Sequence, residues 1–154
     1  MEVRDWFEQI RAKVCDLAKK EDRIEELRGQ TGPHGQQFGA TGHGGAAGDA
    51  SAPIIRLAQA EDELDREKVS VNAEVEYATE ILYGIDGRGG LAYAKSNVDA
   101  DILCAYYLQG MSWEQVACSL SGKGGRTVKQ WCIMRARRSL DYIERHGIEY
   151  LRTL

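Results

Sequence analysis

Arg126, Thr127, Lys129 and Gln130 stand together after a glycine break, and Arg137 and Arg138 follow at helical spacing. The chemistry open to this set is recognition of duplex DNA rather than bond making. Arg pairs with guanine and Gln with adenine, while Thr touches a thymine methyl or donates to phosphate. A recognition helix uses its first turns on base edges and its later turns on the backbone, so Arg137 and Arg138 are expected at phosphates, where they position without specifying sequence. Ser112 joins them as a helix cap that also approaches phosphate.

The elements that must position these residues are legible between residues 98 and 147. Ile102, Leu103, Tyr106 and Tyr107 recur at helical spacing, and Gly110 stops that helix where a left-handed residue is needed. Ser112 to Gln115 forms a capping box ahead of Val116, Ala117 and Leu120. Gly122, Gly124 and Gly125 break the chain again. From Thr127 to Arg145 there is no Gly or Pro, and Val128, Cys132, Ala136, Leu140 and Ile143 line one side. Trp131 and Cys132 compete for the same inward position, and spacing leaves the choice open. Trp113 is placed either to stack on a nucleobase or to pack at the edge of the core. Arg135 can lie along the core edge with its stem packed.

A chain of 154 residues with only two prolines, strong helix formers and few alternating β-branched runs predicts an all-α protein. The net charge of −4 looks wrong for a DNA reader, but its distribution does not. From Met111 onward eight Lys/Arg face four Asp/Glu, so this end is +4 and residues 1–110 carry −8.

Residues 1–28 read as a heptad helix through Val3, Ile10, Leu17 and Ile24. Residues 54–83 read as a second, through Leu57, Leu64, Val71 and Ala78 with Val75 and Leu82 at the other seam position. They close either as a hairpin within one chain or against a second copy, which makes a homo-oligomer an expected partner. Residues 29–53 between them are rich in Gly, Ala and Ser and predict a flexible linker. Residues 84–97 read as a glycine-rich hinge, 98–147 as the helix-turn-helix domain and 148–154 as a tail.

Tyr83 to Leu91 satisfies neither GxGxxG nor GxxxxGK[ST], so a phosphate loop is not expected. Cys15, Cys104, Cys118 and Cys132 stand singly in apolar helical patterns, and His34 and His43 stand among glycines. Neither set has metal-ligand spacing, and no metal or cofactor is expected. No triad-like grouping can be assembled, which reads against an enzyme. There is no apolar span or leader, so a soluble, cytoplasmic protein without a membrane partner is expected.

The segment Tyr107-Leu108-Gln109-Gly110-Met111-Ser112-Trp113-Glu114-Gln115-Val116-Ala117 resembles the helix-turn-helix signature of sigma-factor region four, and Val128, Arg135, Ala136, Arg137 and Leu140 resemble its recognition helix in part. With two heptad helices and a glycine-rich linker ahead of it, the chain looks like the small transcription regulators of phages and prophages of Gram-positive bacteria. The resemblance implies double-stranded DNA as partner and brings RNA polymerase as a further candidate. The regions of a complete sigma factor that bind core polymerase and melt promoters have no counterpart. A DNA-packaging subunit similar to a small terminase, or a coiled-coil adaptor that binds protein, are the alternatives.

Overall fold

A computed structural model describes residues 2–31, 52–121 and 126–154, with the side chains of all of these except Thr31, Ser121, Arg126 and Thr127. The fold is all-α. Seven α-helices are described: α1 (Val3–Thr31), α2 (Ala52–Tyr83), α3 (Gly90–Ala94), α4 (Asn97–Leu103), α5 (Trp113–Ser121), α6 (Arg126–His146) and α7 (Ile148–Thr153). A π-helical turn, Cys104–Leu108, extends α4. Among the described residues there is no strand, only an isolated bridge between Ile85 and Arg88.

The chain divides into two compact units, Met1–Cys15 with Val71–Leu154, and Asp16–Ser70. The first has a core to which every helix contributes: Phe7 and Ile10 from α1, Ile81 and Leu82 from α2, Leu91 from α3, Ile102 and Leu103 from α4, Val116 from α5, Cys132 and Ile143 from α6, and Leu151 from α7 are all fully buried. Each large aliphatic side chain buried there contributes about 1.5–3 kcal/mol, which outweighs the weak intrinsic stability of the shorter helices.

In this unit α1 is tied to elements far along the chain. The Val3 amide, an orphan donor at the start of α1, donates to Glu144 Oε2 of α6 at 2.7 Å. Arg11 donates to the carbonyl of Tyr106 and, at 2.8 Å, to that of Met111. Those carbonyls flank Gly110, whose φ of +69° ends the π turn in the left-handed conformation the sequence predicts.

Residues 84–97, expected as a hinge, form a packed corner instead. Ile85 and Arg88 exchange two backbone hydrogen bonds of 3.0 Å around Asp86 and Gly87. Both central residues have positive φ, as a type I′ turn requires. A Cβ on Gly84 would lie 2.0 Å from the Arg88 carbonyl oxygen, and one on Gly90 2.3 Å from the Gly84 nitrogen, so these glycines allow two backbones to touch. Residues 148–154 are likewise no tail, because α7 buries Leu151 in the same core. The domain expected at 98–147 is therefore only part of a packing unit that also takes in the ends of α1 and α2.

In the second unit α1 and α2 run antiparallel. Lys20 meets Glu67 at 2.6 Å and Arg28 meets Glu61 at 2.8 Å, so rising numbers on one helix face falling numbers on the other, and Glu21 meets Lys68 at 2.5 Å across the same pairing. Ile24 and Leu64 are buried in the seam. Exposed ion pairs of this kind set register more than stability. The flexible linker expected at 29–53 falls, for residues 32–51, outside the described residues, while its flanks belong to α1 and α2.

Candidate nucleic-acid interface

The entry to α5 is built as its sequence predicts. The Gln115 amide donates to Ser112 Oγ at 3.2 Å and the Ser112 amide donates to Gln115 Oε1 at 2.8 Å, which satisfies two orphan donors reciprocally. Val116 and Ala117 are buried behind this cap, while Leu120 is exposed. Trp113 packs within the protein: its ring stacks on Tyr106 with centroids 3.8 Å apart, and the Arg11 guanidinium lies 3.8 Å from the centre of the same Tyr106 ring.

Helix α6 has one side in the core through Cys132, Ala136, Leu140 and Ile143. Cys132 takes the inward position for which it competes with Trp131, whose indole is 43 % exposed. Burial pushes the Cys132 thiol up, as it does that of Cys104, and both are free. Thiols held protonated in this way serve as packing groups rather than nucleophiles.

Two of the cations of α6, Lys129 and Arg135, are engaged within the fold. Lys129, expected at a base edge, sits on the side of α6 that faces α5 and pairs with Glu114. That contact holds the Glu114 carboxyl below its usual range. Arg135 turns toward α4. Its Nε donates to Asp99 Oδ1 at 2.8 Å and one terminal nitrogen donates to Asp99 Oδ2 at 3.1 Å and to Ser96 Oγ at 3.2 Å. Ser96 also accepts from the Asp99 amide at 3.2 Å and so caps α4. Burial penalises the Asp99 charge, yet the Arg135 hydrogen bonds, with Lys95 and Ser96, outweigh that penalty and hold its carboxyl below the usual range.

Gln130, Arg137 and Arg138 lie elsewhere on the helix. At 100° per residue they share the outer face of α6 with Met134, and all four are exposed. Among the described residues neither Arg137 nor Arg138 has an ion-pair partner. The side chains of Arg126 and Thr127 lie outside the described residues; their backbone opens α6. Of the sequence-predicted site, Gln130, Arg137 and Arg138 thus share one surface, Ser112 is engaged in its cap, and Lys129 is directed elsewhere.

Sequence reasoning missed the Arg11 clamp and the Ser96 cap. Ser96 and Asp99 do carry a signal, the S-x-x-D spacing that precedes many helices. Arg11 carries none, since its partners lie about a hundred residues away. Among the described residues no group of three or more His, Cys, Asp or Glu is placed to hold a metal ion, and no helix is long and apolar enough to cross a membrane. His34 and His43 lie outside the described residues. No known protein family, curated protein or solved structure matches the chain at a significant level.

Proposed function

We propose that this protein is a sequence-specific reader of double-stranded DNA that acts as a transcription regulator, with α5 and α6 as its helix-turn-helix and α6 as the helix that enters the major groove. The observation that carries this reading is the division of cations on α6. Lys129 and Arg135 are engaged within the fold, whereas Arg137 and Arg138 are exposed beside Gln130 with no ion-pair partner among the described residues. Two arginines kept free on one face of a helix about 30 Å long suit a polyanion. The sigma region-four relationship and contact with RNA polymerase rest on the resemblance of Tyr107 to Ala117 and, in part, of Val128, Arg135, Ala136, Arg137 and Leu140, and the phage or prophage setting on these together with the two heptad helices and their glycine-rich linker. The role is one of binding without catalysis, and a reader of this kind works in the cytoplasm, where its DNA is.

Selection of bound sequences from random duplex DNA, followed by salt titration on the selected site, tests the proposal. A defined consensus and an affinity that falls with salt support it. Failure to retain any duplex at low salt overturns it in favour of the protein-binding adaptor.

A further inference from the structure

We infer that Trp131 and Met134 form an apolar ledge that packs against the 5-methyl groups of thymines in the major groove, and so determine part of the sequence preference. This rests on the duplex-binding reading above. Met134 is 51 % exposed and Trp131 43 % exposed, on a helix whose Cys132, Leu140 and Ile143 are all buried. Met134 lies one turn after Gln130 and one turn before Arg137 and Arg138, so the apolar surface sits among the polar groups rather than apart from them. Trp131 is also held in place. The Arg135 guanidinium lies 4.8 Å from the centre of the indole and is itself fixed by Asp99. An exposed aromatic ring ordered in advance loses little entropy on binding.

Charge complementarity selects the occupant. A second copy meeting this face across a two-fold axis would bring Arg137 and Arg138 against their equivalents, and the one carboxylate beside them, Asp141, is already paired with Arg4 at 3.4 Å. A purely apolar partner would strip water from two cations without compensation. The major groove offers both chemistries at once, with phosphates along its rims for the arginines and the thymine methyl among the base edges for the apolar side chains.

The test uses the full chain and the duplex recovered by selection. Each thymine is replaced in turn by deoxyuridine, which removes the methyl and leaves base pairing intact, and binding is followed by fluorescence anisotropy. Loss of one packed methyl is expected to weaken wild-type binding about threefold to fivefold. Met134→Ala is expected to bind the thymine and uracil duplexes equally at a decisive thymine, and Met134→Leu to keep the preference. Circular dichroism of both variants should match the wild type, since the side chain is exposed. A consensus without thymine, or wild-type binding indifferent to every substitution, overturns the inference and leaves duplex reading intact. Absence of duplex binding overturns both, and an acidic protein surface is then the better occupant.

Discussion

The Asp99 carboxylate is almost fully buried, takes a fork of hydrogen bonds from Arg135 and lies 3.9 Å from Lys95. Asp99→Ala should destabilise the protein by about 1–3 kcal/mol at neutral pH, a range that allows for the partial exposure of Arg135. Because the carboxyl is held below its ordinary value in the folded state, its contribution is present above the unfolded carboxylate range and is lost as pH falls through the folded value. Urea melts of wild type and variant should therefore differ at pH 7 and converge in acid. On the outer face, Arg137→Ala and Arg138→Ala should weaken all duplexes alike and each reduce the salt slope by about one unit. Gln130→Ala should cost about 1–3 kcal/mol on the selected site and relax its preference, as loss of a base contact does. Unchanged binding in all three variants would show that this face is only a solvated surface. Which arginines stay free was not legible in the sequence, because Arg135 is turned inward by a partner 36 residues away. Ser112, by contrast, sits in the cap where local spacing puts it.

Helices α1, α2, α4, α5 and α6 were legible, since capping boxes, glycine stops and apolar spacing act over a few residues, whereas α3 and α7 fall in segments that read as hinge and tail. What joins them was not. The corner between α2 and α3 carries the glycines of a hinge, yet it uses them for backbone contact. Gly90→Ala should therefore destabilise the protein by at least about 2 kcal/mol, from the left-handed conformation and the clash with Gly84 together, as read from chemical unfolding. A flexible hinge would tolerate the change. For the same reason residues 98–147 expressed alone should show no cooperative transition by calorimetry, because Phe7, Ile10, Ile81, Leu82, Leu91 and Leu151 supply the other half of their core.

At the scale of the molecule, the heptads showed that α1 and α2 need partners but left open whether the partner is the same chain. With Ile24 and Leu64 buried by antiparallel pairing inside one chain, sedimentation is expected to give a monomer at tens of micromolar, roughly where short coiled coils assemble. The selected DNA site should then be a single asymmetric element rather than a palindrome. A dimer in solution would show that the helices use a further surface between copies. The bond from Val3 to Glu144 spans 141 positions, and those from Arg11 span 95 and 100. The ribosome releases the first turns of α1 long before their partners exist. Those turns, with Phe7 and Ile10 uncovered, must wait while almost the whole chain is made. The bundle closes only once Glu144 and Leu151 have emerged, so its final step is governed by long loop closures rather than by helix formation.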